Sequence, residues 1–226
     1  GGGFGGKIFM SNVKEGVSIA ESLDPDLIIV EGSGASIPDV KTDKNICIIG
    51  AGQSWENIVG YLGIYRILCT DLILITMCEE PMADRKKISF LENEIKKIKP
   101  AVKIIKTIFR PEPLSDISGK KVFMAMTADE AIGPKVKEYM DKNHDCEIRK
   151  ISFSLSNREK LKKDLQDCDD YDTILTELKA ASVDLLTDYA FKNKKEIIYM
   201  NNIPVISGEE HILEKELKKI FSKGKD

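Results

Sequence analysis

Short apolar runs alternate with longer amphipathic stretches along this chain. Leu27-Ile28-Ile29-Val30 is the first run, β-branched at three of four positions, and it predicts a strand buried on both faces. Asn45–Gly50, Leu72–Thr76 and Val102–Phe109 repeat the pattern. Between them, apolar residues recur at three- and four-residue spacing. Val13, Val17, Ala20 and Leu23 predict a helix over Val13–Leu23, capped by Ser11 or Asn12 and ended by Asp24-Pro25. Glu56–Arg66, weakened by Gly60 and Gly63, and Arg85–Ile98 read as helices too. Arg110-Pro111-Glu112-Pro113 interrupts the alternation and reads as an extended connector, which places a domain boundary near 110–119.

Beyond that boundary the alternation resumes. Strands are expected at Lys121–Thr127, Glu147–Ser152, Asp172–Leu175 and Glu196–Met200. Helices are expected at Ile132–Lys142, Asn157–Leu165, Thr176–Phe191 and Glu209–Phe221. Strands alternating with helices imply an α/β fold with a mainly parallel sheet and right-handed crossovers. The expected division is a first unit over 1–113 and a second, smaller α/β unit over 118–226.

Bulk composition narrows the function classes. With 226 residues, 42% hydrophobic and 31% charged, the chain has the make-up of a globular protein. A net charge of −3 supplies no basic footprint for nucleic acid, and no apolar run nears the ~20 residues of a membrane span. Five dispersed cysteines without a CxxC pair read as reduced, mostly buried residues, which points to the cytoplasm. The two histidines have no metal-binding spacing. Gly1–Lys7 lacks an initiator Met, and reads as an expression scar or as the cut edge of a longer polypeptide.

Candidate chemistry gathers at the strand tips. The first run stops at an acid, Glu31, followed by Gly32-Ser33-Gly34. The next two end in Gly50-Ala51-Gly52-Gln53 and in Thr76-Met77-Cys78-Glu79-Glu80. In a parallel sheet these tips share one edge, the edge where ligands bind. A carboxylate with free backbone N–H groups suits Mg²⁺ with phosphate; the plain alternative is a tight turn with Glu31 paired to a Lys or Arg. Gly1, Gly6 and Lys7 come near the P-loop pattern GxxxxGK[ST], but Ile8 takes the hydroxyl position, so a true nucleotide P-loop is rejected. Lys7 stays a phosphate candidate against a flexible linker. Arg66, after Tyr61 and Tyr65, is either an anion contact or a surface residue. Arg110, between the two halves, is a stronger clamp candidate for phosphate or carboxylate. Glu79-Glu80-Pro81 reads as a second cation, base or ribose contact, or as an acid pair at a helix N-terminus. Lys179, near the expected start of the helix capped by Thr176, opposes the dipole there, which calls for a nearby anion or for Glu177.

These residues also carry a resemblance. Val30-Glu31-Gly32-Ser33-Gly34-Ala35 resembles the VEGAGG segment of dethiobiotin synthetase and its P-loop ATPase relatives. More closely, GGGFGGKIFMSNV (1–13), DPDLIIVEGSGASIP (24–38), YLGIYRILCTDLILITMCEEP (61–81), RPEP (110–113) and LTELKAASVD (175–184) make almost the whole chain similar to the C-terminal half of the archaeal cyclic 2,3-diphosphoglycerate synthetases. The resemblance implies part of a P-loop NTPase-type core over 1–113, and a lid or cover over 118–226. It implies ATP-dependent closure of 2,3-bisphosphoglycerate into a cyclic phosphoanhydride, with ATP, Mg²⁺ and K⁺ as cofactors and a homodimer as the assembly. It also implies that the P-loop lies in a missing N-terminal half, so that this chain alone is inactive. On the same grounds Glu31 is the Mg²⁺ ligand and a catalytic residue. Gly32, Ser33 and Gly34 form the substrate or γ-phosphate loop. Lys7, Arg66, Arg110 and Lys179 are phosphate clamps, Arg110 and Lys179 being the catalytic ones, and Glu79 and Glu80 contact metal or nucleotide. The competing readings are a ligase of the dethiobiotin-synthetase type acting on another anion, and a non-catalytic anion-binding or oligomerisation module.

Overall fold

The computed structural model describes residues 11–32, 37–206 and 212–222. Two sheets organise them. The first is parallel, with β1 (Ile46–Gly50), β2 (Leu72–Thr76) and β3 (Lys103–Lys106) in that spatial order. The second contains β4 (Ile108–Pro113), β5 (Lys121–Ala125), β6 (Glu147–Ser152), β7 (Thr173–Glu177) and β8 (Glu196–Val205), in the order β4-β8-β7-β5-β6. It is parallel except for the antiparallel β4–β8 pair. The expected α/β architecture of mainly parallel sheets, a first domain followed by a second, is what the chain forms. No helix among the described residues is long and apolar enough to cross a membrane.

Each sheet packs apolar residues on both faces, as parallel strands require. On one face of the first sheet, Ile49, Ile73 and Ile75 meet the helices α2 (Trp55–Val59), α3 (Gly63–Cys69) and α4 (Arg85–Ile98) through Ile58, Ile67, Leu91 and Ile95. The opposite face holds Leu72, Leu74 and Ile105, and here the chain returns from the second sheet. Leu213 and Leu217 of the helix at Ile212–Ser222 pack against them, with Ile206. Around the second sheet, α5 (Gly133–His144) covers one face through Val136 and Met140. On the other face α6 (Arg158–Gln166) and α7 (Val183–Lys192) lay Leu161, Leu165, Leu185 and Leu186 over Phe123 and Ile174. Helix α1 (Val13–Glu21) precedes all of these and buries no residue among the described ones.

Several expectations need correction. Leu27–Val30 is not a strand. The segment is irregular, with Leu27 and Ile29 54% and 82% exposed. Its composition suits burial, but a strand exists only by pairing, and nothing among the described residues pairs with it. Among the described residues no strand pairs with β1 on the side away from β2, and Ile48 is 67% exposed. The expected helix Glu56–Arg66 is two helices, α2 and α3. They meet where Tyr61 takes a left-handed φ of 51° and where a side chain on Gly63 would lie 1.8 Å from the Ile58 carbonyl oxygen. Val102–Phe109 divides into β3 and β4, which belong to different sheets, and the Arg110–Pro113 segment is strand rather than connector. Its two prolines are accommodated because β4 is the outer strand of its sheet. Thr176 does not cap a helix; it is buried inside β7, and Glu177 ends that strand.

One side chain ties α6 to its sheet and gives the fold a pH dependence. Asp164 accepts from Ser152 Oγ at 2.7 Å, and Lys150 Nζ lies 3.3 Å from its other oxygen. Burial pushes the carboxyl up, but the hydrogen bonds from Ser152 and Lys150 outweigh it and hold it below the usual carboxylate range. A depressed folded-state value means stability present at neutral pH and lost as pH falls below about 4, the unfolded reference, and on through the folded value. Urea midpoints measured between neutral and acid pH should therefore fall less steeply in Asp164→Asn than in the parent. Identical slopes would remove Asp164 from the acid transition.

Candidate functional site

The ends of β1 and β2 lie side by side, since Gly50 pairs with Thr76. After β1 the chain makes the turn Gly50-Ala51-Gly52, and Ala51 is fully buried. Side chains of the β2 tip close over this turn: a Cβ on Gly50 would stand 3.1 Å from Met77 Cε, and one on Gly52 3.1 Å from Met82 Cε. Met77 itself takes a left-handed φ of 57°, which turns the chain sharply as it leaves the sheet. Cys78 follows with its N–H on the Thr107 carbonyl. Burial pushes its thiol up to about 11, so it is not a thiolate nucleophile at neutral pH.

Glu79 is the pivot between the two sheets. Arg110, from β4, grips it with both guanidinium ends, Nη1 to Oε1 at 2.5 Å and Nη2 to Oε2 at 3.0 Å, while Nη1 also donates to the Phe109 carbonyl at 2.8 Å. The side chains are 11% and 16% exposed. The guanidinium carbon lies 5.9 Å from the ring centroid of Tyr139 on α5. From the preceding turn of α5, Lys135 Nζ reaches to 3.5 Å of Glu79 Oε2 and donates to the Glu80 carbonyl at 2.7 Å. An arginine and a lysine of the second sheet's elements thus converge on one loop of the first.

Beside this junction opens a cleft of about 710 Å³, lined by Glu80, Met82, Asp84 and Lys87 on one side and Ala131 and Lys135 on the other. Asp84 caps α4 through a bond to the Lys87 N–H at 2.7 Å, and Lys87 Nζ donates to the Gly52 carbonyl at 2.9 Å. The cleft thus stands at the ends of β1 and β2, with fixed ammonium groups, a solvent-facing carboxylate at Glu80 and a volume within the range of small-molecule sites.

Glu79, Glu80 and Arg110 are brought together here, although Arg110 already has an internal carboxylate partner. Glu31 and Gly32 are exposed, and Glu31 has no hydrogen bond or ion pair among the described residues. Lys7, Ser33 and Gly34 lie outside the described residues. Arg66 sits on α3 near Cys47 of β1, its charge opposing the rise that burial gives that thiol, and its Nη2 is buried without a hydrogen-bond partner among the described residues. Lys179 is exposed in the turn between β7 and α7 rather than on a helix, because the strand runs on to Glu177. Lys87 and Lys135 were missed. The dipole argument applied to Lys179 fits Lys87, the third residue of α4, and Ala131, Lys135 and Tyr139 share one helical face at four-residue spacing.

Comparison with known proteins gives these features a setting. The family model for the P-loop domain of cyclic 2,3-diphosphoglycerate synthetase matches residues 1–108, and the model for the C-terminal domain of the same synthetase matches residues 113–203. The cyclic 2,3-diphosphoglycerate synthetase of Methanothermus fervidus is 44% identical over 93% of this chain and 46% of its own length. That of Methanosphaera stadtmanae is 41% identical over 100% of this chain and 49% of its own. That of Rubrobacter xylanophilus is 39% identical over 92% and 47%. The chain spans about half the length of the curated relatives it matches. The P-loop-type core expected over 1–113 agrees with these matches, but the expectation that the chain is only a C-terminal half, its P-loop lying elsewhere, is not borne out. The P-loop domain model matches from residue 1, and the matches run along the whole chain.

Proposed function

The chain belongs to the cyclic 2,3-diphosphoglycerate synthetase family, and from that premise we propose that it acts in the ATP-dependent closure of 2,3-bisphosphoglycerate to its cyclic phosphoanhydride. The observation that carries this reading is the order of two domains of one synthetase along the chain, at about 40% identity to proteins bearing that name. One substrate phosphate takes the γ-phosphoryl group of ATP and ADP leaves; the other substrate phosphate then attacks the phosphorus of the activated one, closing the ring as the transferred group leaves as orthophosphate. Three or more phosphate groups must then approach one another, and fixed cationic side chains and backbone N–H groups offset their repulsion. Lys87 and Lys135 line the cleft and are available for that task, and Lys179 and Arg66 are further cations of the two domains.

No cluster of three metal-ligating side chains occurs among the described residues, so a magnesium ion here would rest on single carboxylates and on the phosphates it accompanies. Glu31 and Glu80 are exposed carboxylates without partners among the described residues, and Mg²⁺ takes one or two protein carboxylates while sharing the rest of its shell with phosphate and water. When bound, the ion neutralises phosphate charge. In this reading Glu31 would hold it, the loop Gly32-Ser33-Gly34 and Lys7 would approach the phosphates, and Glu79 keeps Arg110 at the junction. The second domain covers the site and excludes water. K⁺, a homodimeric assembly and a cytoplasmic location belong to the same proposal.

Phosphorus NMR tests it. Native protein given ATP, Mg²⁺ and 2,3-bisphosphoglycerate should convert the two monoester signals into a cyclic pyrophosphate signal, with one orthophosphate released per turnover. Product formed from another carboxylate or phosphate anion, but not from 2,3-bisphosphoglycerate, would assign the chain to a different ligase.

A further inference from the structure

The cleft between the domains holds two ammonium groups of a particular kind. Lys87 comes from the first domain and Lys135 from the second, and each is anchored by a backbone carbonyl, Gly52 O at 2.9 Å and Glu80 O at 2.7 Å. An ammonium has three donors, so each lysine keeps bonding capacity after its anchor is made. Anchoring also removes in advance much of the entropy that a free lysine would lose on meeting a ligand. Arg110 is committed to the junction: Glu79 takes both guanidinium ends and the Phe109 carbonyl a third of its five N–H donors. Drawing it to a ligand would leave the Glu79 carboxylate half-buried with only Lys135 nearby.

The carboxylates lining the cleft differ in the same way. Asp84 spends an oxygen on the Lys87 N–H, whereas the Glu80 carboxylate is exposed and has no partner among the described residues. A bare polyanion would meet repulsion from Glu80. A polyanion that carries a divalent cation would instead find an oxygen ligand for that cation beside donors for its phosphates.

We infer that Lys87, Lys135 and Glu80 form a subsite for a metal-complexed diphosphate group, gripped by one lysine from each domain. The inference rests on the phosphate-handling reading above and deepens it. It names the side chains that hold adjacent phosphates, and it makes the bound ligand a bridge between domains.

The test is calorimetric titration of the 226-residue chain with pyrophosphate, with and without Mg²⁺. The parent should bind magnesium pyrophosphate more tightly than pyrophosphate alone. Lys87→Met and Lys135→Met should each weaken the magnesium complex about tenfold or more, and Glu80→Gln should abolish the gain from Mg²⁺. Lys137→Met, an exposed lysine on α5 outside the cleft, should change nothing. Circular dichroism and thermal unfolding of each variant separate lost binding from lost fold, and Lys135→Arg, which keeps the charge, should retain part of the affinity. A parent that binds no pyrophosphate at millimolar concentration, or lysine variants that bind as well as the parent, would overturn the subsite. Neither result touches the cyclisation reading, which the phosphorus NMR assay judges separately.

Discussion

Arg110→Leu is expected to destabilise the folded chain by about 3 kcal/mol, the low end for removing one partner of a buried ion pair. The cost arises on the other side of the pair. Glu79 would remain at 16% side-chain exposure with two guanidinium hydrogen bonds gone and only the Lys135 ammonium at 3.5 Å to offset its charge. Arg110→Lys should recover only part of the loss, because an ammonium cannot reproduce the two-point grip. The double variant Glu79→Leu/Arg110→Leu should be more stable than Arg110→Leu alone, since it removes the orphaned charge. Urea midpoints of the parent, both single variants and the double variant give the coupling directly. A loss below about 1 kcal/mol for Arg110→Leu would place the pair among surface ion pairs of little consequence.

Glu31→Ala is expected to lower cyclisation by more than about 100-fold, because replacing even an outer partner of a metal ligand commonly costs 10–100-fold. Folding should be untouched: Glu31 is exposed and has no hydrogen bond or ion pair among the described residues, so its removal exposes no cavity and orphans no charge. The two readouts therefore separate cleanly. Turnover should respond to Glu31→Ala and the unfolding midpoint should not. Near-normal turnover at saturating Mg²⁺ would exclude the residue from metal binding. Glu31→Asp, with the carboxylate drawn back by one methylene, should fall between parent and alanine variant.

What could be read from the sequence, and what could not, divides along physical lines. Apolar runs such as Leu72–Thr76 and residues 122–125 announced themselves because they are buried on both faces. Leu27–Val30 has the same composition and a different fate, because composition encodes the capacity to be covered and not the presence of a cover. Thr173–Glu177 ran into an expected helix because Thr176 and Glu177 are as natural at a helix start as at a strand end, and only pairing with β5 and β8 decides. The site followed the same rule. Arg110 was recognisable from its position at a proline-flanked junction, but its partner Glu79 is 31 residues away, and no local pattern couples them. Lys135 left a faint trace in the spacing of Ala131, Lys135 and Tyr139. The anchoring of Lys87 on Gly52 is 35 residues distant and left none.

The return of the chain to its first sheet also has a consequence during synthesis. Leu72, Leu74 and Ile105 are covered by Leu213, which leaves the ribosome roughly 100 residues after Ile105. At about 5–20 residues per second, that face of the first sheet stays bare for roughly 5–20 seconds of translation, long enough for β1 to β3 to pair yet too early for them to be sealed. Over that interval the nascent protein presents an oily parallel sheet that no other described element seals, and its yield depends on what shields that surface until the helix at Ile212–Ser222 arrives.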